Sequence, residues 1–294
     1  QPAPGQPPDA PFSTRPPLQI DQVRTFSRPA AYIEGEWTPT DRLRVVPGVR
    51  FDYALDTGGV DVAPRINARY QITKGLRATA VKAGVGLYSQ PPQFQESVDP
   101  LGTPGLASNR AIHVGAGVEQ GITQQLGVTG DFFYKSLSNL VVRSSDGEYE
   151  NSGTGYVVGG ELLLKYKPDK RFFGWLAYTL SRSVRNNGPG TEDRLSQFDQ
   201  THNLTLLGSY KIGKGWTIGA RFRLGSGGLT TPNVCDPDSA GCDAARINSV
   251  YYAPTGTYIA IPAGSAASER LPLFHNLDVR ADKKWQFKSW ALSF

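Results

Sequence analysis

The chain has 294 residues, 39% of them hydrophobic, and a formal net charge of +5; its mean hydropathy is −0.35. No apolar run approaches the roughly 20 residues that a membrane-spanning helix requires, so a helical membrane protein is excluded. The lysines and arginines are scattered among acidic residues and form no basic clusters, which argues against nucleic-acid binding.

The first residues contain the proline-rich stretch QPAPGQPPDAPFSTRPP. This composition is typical of a loop or linker. The stretch also lacks the basic segment and apolar core of a signal peptide. Regular structure is therefore expected only after about residue 28.

From residue 29 onward apolar and polar residues alternate, which is the pattern of β-strands with two unlike surroundings. The stretch WTIGARFRLG, residues 216–225, places Trp216 and Phe222 in one phase and Arg221 and Arg223 in the other. The sequence predicts about twelve strands, arranged as six hairpins, near residues 30–37, 43–54, 64–72, 76–88, 110–120, 126–137, 155–167, 172–184, 201–212, 216–226, 273–283 and 287–294. Within residues 76–88 the alternation changes phase near Thr79, which predicts a β-bulge.

The connections between these strands alternate in length. The short turns TPTDR, TKG, GITQQ, KPDK and GKG join the members of a pair, whereas the links between pairs run to about twenty residues and, between Gly227 and Pro272, to more than forty. Outer-membrane barrels segregate brief periplasmic turns from long extracellular loops in this way. Ten residues at about 3.3 Å each, tilted by roughly 45°, also rise about 23 Å, close to the roughly 25 Å apolar belt of such barrels.

We therefore predict an all-β fold, an antiparallel transmembrane β-barrel with short periplasmic turns and long extracellular loops. The expected division is a Pro-rich extracellular loop or linker over residues 1–28 and a partial transmembrane barrel over residues 29–294, with a long extracellular loop over residues 227–272. Aromatic residues near the predicted strand ends suit the girdles of a membrane interface: Trp37, Tyr53, Tyr70, Tyr166, Trp216 and Trp290.

Charged residues keep to one phase of the strands, because an arginine that faces lipid at mid-depth costs about 2–4 kcal/mol. The charged phase is expected to face a water-filled lumen, where the charges pair across neighbouring strands or hold a plug; selection of a ligand is the alternative. The predicted lumen-facing residues are Arg44, Arg50, Asp52, Arg65, Arg69, Glu119, Asp131, Glu161, Lys165, Arg221, Arg223, Asp278 and Arg280.

The long loop contains both cysteines, Cys235 and Cys242, in the stretch CDPDSAGC. Proline and glycine between them favour a tight turn, so a small disulfide ring is predicted, which implies an oxidising compartment. Two unlinked thiols are the alternative, and zinc is disfavoured because no second ligand pair exists. Tyr251, Tyr252 and Tyr258 in the same loop are candidate ligand-binding residues, against the simpler reading of an exposed loop.

His202 and His275 each lie at the start of a predicted strand beside an asparagine. The simpler reading is a residue near the outer interface. The alternative is a catalytic histidine of an outer-membrane hydrolase, although no local serine pattern supports it. The sequence contains no phosphate loop, metal cluster or dinucleotide fingerprint, so no catalytic residue, metal or cofactor is predicted.

Several longer motifs follow one another in a fixed order, among them GVEQGITQQLGV, SGTGYVVGGELLLKYKPDKRFFGWLAYTLSRS, FDQTHNLTLLGSYKIGKGWTIGARFRLGSG and LPLFHNLDVRADKKW. Together they resemble the C-terminal half of the barrel of TonB-dependent outer-membrane receptors, and the resemblance covers nearly everything after about residue 20. It implies a 22-stranded barrel closed by a plug domain, whose TonB box couples it to the energised inner membrane. With about twelve strands and neither plug nor box, the chain is expected to be part of a receptor about twice as long or more.

The resemblance implies uptake of a scarce nutrient, of the siderophore, cobalamin or saccharide class, across the outer membrane of a Gram-negative bacterium. The implied partners are outer-membrane lipid and lipopolysaccharide, the missing plug domain, the inner-membrane TonB complex and a small-molecule ligand of unknown identity. The alternatives are a stand-alone channel or adhesin of about twelve strands and, less favoured, an outer-membrane hydrolase.

Overall fold

The computed structural model describes residues 27–144, 147–232, 249–252, 257–260 and 267–294. Within these ranges the regular elements are β-strands and one short helix, α1 (Phe94–Ser97). No helix in the described ranges is long and apolar enough to cross a bilayer.

The strands of the described ranges are β1 (Ala30–Glu34), β2 (Trp37–Thr40), β3 (Leu43–Ala54), β4 (Gly59–Thr73), β5 (Thr79–Gln90), β6 (Asn109–Gly121), β7 (Leu126–Arg143), β8 (Tyr149–Tyr166), β9 (Phe172–Asn186), β10 (Arg194–Leu195), β11 (His202–Gly213), β12 (Trp216–Gly225), β13 (Leu229–Thr230), β14 (Ser249–Tyr252), β15 (Thr257–Ala260), β16 (Glu269–Arg270), β17 (Phe274–Gln286) and β18 (Ala291–Ser293). Fourteen of them form one sheet in the order β1-β3-β4-β5-β6-β7-β8-β9-β11-β12-β17-β18, with β2 beside β3 and β10 beside β9. Strands β13 and β16 form a separate ladder, as do β14 and β15.

The main path of this sheet is an antiparallel meander in which each strand pairs with its neighbours along the chain. The predicted all-β antiparallel fold is thereby confirmed, and each of the predicted segments overlaps a strand: the first is split into β1 and β2, and the last is shortened to β18. In the part of the chain that the structure describes, no pairing joins β1 to β18, so the sheet is an open wall with two edges.

The turns at one end of the sheet are short, as predicted, and we call this the short-turn end. Side-chain oxygens of Thr40, Thr123 and Asp169 each accept hydrogen bonds from backbone N–H groups two and three residues later. Such local bonds stabilise a tight turn because they replace ladder bonds that the reversing backbone loses. The three turns therefore share one device, although their sequences differ.

The opposite end, the long-loop end, departs from the prediction at two of its links. Strands β7 and β8 extend to Arg143 and back from Tyr149, so residues 144–148 form a short link, and residues 55–58 form another because β4 begins at Gly59. The extension of β7 escapes the alternation pattern since Asn139 has a φ of 53° and the register with β8 shifts on both sides of Leu140. Long links remain over residues 91–108, 187–201 and 226–273.

The predicted bulge lies in the neighbouring strand. Gln71 pairs with Ala80 and Thr73 pairs with Thr79, so the extra residue is Ile72 of β4. Strand β5 begins only at Thr79. The phase change in the sequence therefore marks the start of β5, and the prediction of a bulge inside that segment was wrong.

One face of the sheet, the apolar face, carries large apolar side chains that are exposed. Phe132 is 57% exposed, Leu277 63% and Val279 67%. The buried apolar residues of the described ranges are few and mostly small: Ala54, Ala80, Val98, Leu106, Val184 and Ala267. A continuous apolar surface of this extent is stable only under a cover of hydrocarbon or of another apolar surface. The sheet does not enclose a dry core of its own.

Aromatic residues are concentrated on the apolar face near the short-turn end. Trp37 is 63% exposed, Trp216 46% and Tyr70 42%, and all three lie within four residues of a strand terminus at that end. Tyr53 lies near the other end of β3, beside the turn at residues 55–58. Aromatic rings with one polar edge suit the boundary between hydrocarbon and water.

Candidate functional site

Most charged residues of the strands lie together on the second face of the sheet, which we call the polar face. Directly paired residues of neighbouring strands point to the same side, so the register places Arg44, Arg69 and Lys82 in one row across β3, β4 and β5. In the same way, Arg221 of β12 stands opposite Asp278 of β17. All thirteen residues that were predicted to face a lumen belong to this face by their register.

Most of the thirteen form ion pairs. Arg221 donates from Nε and Nη2 to Asp278 Oδ2, at 3.0 and 2.7 Å, straight across the β12–β17 ladder. Pairs of half-exposed side chains contribute about 0.2–1 kcal/mol each. They therefore make this face hydrophilic and add little to the stability of the sheet. Among the described residues no ion pair forms at Glu161, Lys165 or Arg223.

Some of these ion pairs bridge two strands by passing over a glycine on the strand between them. Arg65 of β4 reaches Glu34 of β1 at 2.8 Å above Gly48 of β3. A Cβ atom at Gly48 would lie 3.4 Å from Arg65 Nε and 3.5 Å from Glu34 Cγ. Because Gly48 has no side chain, there is space above it in which the two long side chains can meet.

The longest network of this kind joins four strands. Arg69 binds Glu119 at 2.8 Å, and Lys82 lies 4.0 Å from Glu119 and 3.0 Å from Asp131. The link from Lys82 to Asp131 passes over Gly117 of β6, where an added Cβ would overlap the Asp131 carboxylate. Lys82 was missing from the predicted set, because the phase change near the start of β5 obscured which side of the sheet Lys82 belongs to.

A shallow cavity of about 550 Å³ lies along this network on the polar face. Its floor includes Gly84 and Gly115, and its walls include Arg69, Lys82 and Asp131. The combination of a glycine floor and charged walls makes a smooth groove with polar walls. Such a surface can accommodate another protein layer or the passage of a polar solute.

At the long-loop end a buried carboxylate ties three segments together. Asp199 is 1% exposed and receives Arg270 Nη2 on Oδ2 at 2.5 Å and the Ser183 N–H on Oδ1 at 2.7 Å. Arg270 Nη1 also donates to the carbonyl of Gly227 at 3.0 Å. Because the partners satisfy both ions, the pair fixes the base of the link over residues 226–273 against β9.

His202 and His275, two of the three histidines of the chain, lie on the apolar face near the long-loop end, with β12 between their strands. The ring of His202 shares a hydrogen bond of 2.8 Å with the Tyr178 hydroxyl, and the Ser226 hydroxyl binds the His202 backbone instead of its ring. His275 pairs with Leu224 in the β12–β17 ladder. The structure thus gives His202 a phenol partner, which does not make a hydrolytic triad.

The remaining predicted site residues belong to the long loop. Cys235 and Cys242 lie outside the described residues, so their disulfide stays a prediction. The backbone of Tyr251 pairs with that of Tyr258 in the β14–β15 ladder, and that of Tyr252 pairs with Thr257. Their role in binding a ligand also stays a prediction.

Two carboxylates in the turns, Asp56 and Asp169, have lowered pKa values. Arg28 grips Asp56 through two hydrogen bonds, of 3.1 and 2.5 Å, and thereby holds the pKa of Asp56 below its ordinary value. The pKa of Asp169 is likewise lowered, chiefly by the N–H groups of Phe172 and Arg171. Within the described ranges no group of three or more His, Cys, Asp or Glu side chains is placed to hold a metal ion.

Solved structures similar to this chain include siderophore receptors and a copper transporter. The siderophore receptor PirA from Acinetobacter baumannii has a TM-score of 0.63 and 13% identity, with 89% of this chain and 40% of that chain covered. A mutant of the ferric enterobactin receptor PfeA from Pseudomonas aeruginosa has a TM-score of 0.61 and 13% identity, with 90% and 38% covered. The copper transporter OprC has a TM-score of 0.55 and 14% identity, with 88% and 40% covered.

At these identities the likeness shows the fold alone, and the chain spans 40% or less of the length of these proteins. No curated protein matches the chain. The family described as TonB dependent receptor-like, beta-barrel matches residues 2–294. Because that match extends over almost the whole sequence, the chain belongs to the family of TonB-dependent receptor β-barrels.

Proposed function

We propose that the chain is a section of the barrel wall of an outer-membrane receptor that imports a scarce nutrient with energy from TonB. The observation that carries the proposal is the two-faced sheet. Large apolar side chains are exposed on one side, and the other side carries charged residues that are mostly ion-paired on β3 to β7, β12 and β17. A soluble protein would bury the first of these faces, whereas a barrel wall exposes it to hydrocarbon.

In this proposal the polar face borders the lumen, and the glycine-floored groove receives the plug domain of the whole receptor. The two open edges support a larger barrel, because an unpaired edge in hydrocarbon leaves backbone groups that cost several kcal/mol each. Strands β1 and β18 therefore pair with further strands of the same receptor. The nutrient is a siderophore, cobalamin or a saccharide, and the site of action is the outer membrane of a Gram-negative bacterium.

The proposal is tested by uptake in cells from which the whole receptor gene has been deleted and then restored. Radiolabelled ferric siderophores, cobalamin and maltodextrins are supplied one at a time, with and without a protonophore. Uptake of one class that needs the receptor and stops with the protonophore is the expected result. Uptake that persists with the protonophore would contradict the proposal and favour a passive channel.

The hydrolase alternative is tested with the same strains. Hydrolysis of phospholipid or peptide by the purified receptor that is lost in His202→Ala or His275→Ala, together with absence of nutrient uptake, would contradict the proposal. The described contacts of His202 lead us to expect no such activity, since its ring is bonded to Tyr178.

A further inference from the structure

A second cavity, which we call the rim cavity, lies on the polar face at the long-loop end. It has a volume of about 670 Å³ and is bounded by β5, β6, β7, β9 and β10. Its lining on this face includes Tyr88, His113, Arg185 and Arg194. None of these residues was predicted as a site residue, because they converge from strands far apart in the sequence.

Arg185 is the central group of the rim cavity. It stands opposite Gly155 of β8, and a Cβ atom at that glycine would lie 3.1 Å from Arg185 Cδ and 3.2 Å from Nη1. The Arg185 side chain therefore passes close over Gly155 of β8. Among the described residues, its Nη1 is buried and has no hydrogen-bond partner. A buried donor without a partner carries a desolvation penalty.

Arg194 adds a second positive charge at the same place. It is the direct cross-strand partner of Arg185 in the β9–β10 ladder, where two like charges repel. Its Nη2 donates to the neutral amide oxygen of Asn187 at 3.0 Å. Among the described residues, neither arginine forms an ion pair.

The lining offers little negative charge to balance these groups. Glu96 is the one carboxylate among the lining residues. It accepts a hydrogen bond of 2.7 Å from the backbone N–H of Gln93 and so closes the first turn of α1. Two arginines, Arg185 and Arg194, thus face the cavity against a single glutamate that is already engaged. The polar face elsewhere pairs most of its charges, so this excess is local.

We propose that the rim cavity binds an oxyanion, a carboxylate or phosphate group of the ligand, between Arg185 and Arg194. A guanidinium presents parallel N–H donors that match two oxygens of such a group. Tyr88 and His113 are stacked with ring centroids 4.3 Å apart and form an aromatic wall for the rest of the ligand. Binding of an oxyanion at this site does not depend on the proposed uptake function. Only the identification of the anion as part of the nutrient rests on that function.

The test uses the whole receptor, purified in a neutral detergent, and isothermal titration calorimetry with tricarballylate, a soluble tricarboxylate. The uncharged trimethyl ester of the same compound is the matched control ligand. The variants are Arg185→Gln and Arg194→Gln, and Arg171→Gln in the β8–β9 turn is the control for loss of an arginine at the opposite end of β9. Circular dichroism at rising temperature verifies that each variant is folded.

We expect saturable binding of tricarballylate and none of the ester. Affinity should fall about 10- to 100-fold in each rim variant, as for loss of a charge-assisted bidentate contact, and stay unchanged in Arg171→Gln. Equal affinity in all four proteins, or no binding by the unmodified receptor, would overturn the proposal. Competition by lipopolysaccharide would identify lipid phosphate as the source of the anion, and lack of competition a soluble nutrient.

A failure of this proposal is distinguishable from a failure of the proposed function. Uptake lost or insensitive to a protonophore, with tricarballylate binding intact, would count against the transport role alone. Energised uptake that is unchanged in both rim variants, together with unchanged tricarballylate binding, would count against the rim cavity alone.

Discussion

Replacing Ile66 and Asn67 of β4 by arginine, one at a time, tests whether the apolar face lies in hydrocarbon. The two residues are adjacent and both are exposed, but Ile66 lies on the apolar face and Asn67 on the polar face by their pairing with Pro47 and Val46. Within the part of the chain that the structure describes, neither side chain has a hydrogen bond or ion pair that the substitution would remove. A comparison of the two arginine substitutions therefore reports the environment of each face separately.

The expected magnitudes follow from depth. Ile66 is seven residues from Thr73, where β4 ends at the short-turn end. At about 3.3 Å per residue and a tilt of roughly 45°, it lies about 16 Å into a belt of about 25 Å. Ile66→Arg should then lower the free energy of unfolding by about 2–4 kcal/mol, whereas Asn67→Arg should change it by about 0.5 kcal/mol or less.

The assay is reversible denaturant unfolding of the whole receptor in phospholipid vesicles, followed by tryptophan fluorescence. Ile66→Leu is the control for a change of shape without charge. Equal, small effects of both arginine substitutions would refute the reasoning, because they would mean that water reaches both faces.

Three further predictions concern single contacts. Gly117→Val should destabilise the receptor by about 1–3 kcal/mol, since its Cβ would lie 2.9 Å from the Gly130 carbonyl, while Gly115→Ala, with a nearest atom at 3.5 Å, should be tolerated; denaturant midpoints measure both. Asp199→Ala should cost about 3–5 kcal/mol because it leaves Arg270 without its counter-charge, and an effect below 1 kcal/mol in the same titration would contradict the role of this pair. The pKa of Asp56 is lowered, so its bond to Arg28 stabilises the fold above the unfolded pKa of about 3.9, and this contribution is lost as pH falls through the folded pKa. The difference in stability between the unmodified receptor and Asp56→Asn should therefore shrink below about pH 4. A difference that does not depend on pH would contradict this role of the Asp56–Arg28 bond.

The strand framework could be predicted from sequence because the alternation persists wherever a strand is regular. A strand was predicted over residues 216–226, within one residue of β12. The prediction failed where local geometry breaks the period, as at Asn139 with its φ of 53°, so the outer thirds of β7 and β8 were missed. An alternation pattern reports neither bulges nor strand extensions that change phase.

The contacts of the polar face could be predicted less well. That charges such as Arg221 and Asp278 share a face follows from the period of two, but their pairing requires the register. The role of Gly48 and Gly117 under bridging ion pairs depends on three strands at once. Asp199 and Arg270 are separated by 71 positions, and no local pattern connects them.

The central claim is that one face of this sheet contacts lipid and the other contacts water. Spin labels placed singly at residues 216–225 of the whole receptor in vesicles, with Cys235 and Cys242 replaced by serine, measure it directly through collision with oxygen and with a water-soluble nickel complex. We predict high oxygen accessibility at Ile218, Ala220 and Phe222 and high nickel accessibility at the intervening positions. Accessibility without a period of two, or with the two reagents exchanged, would contradict the account.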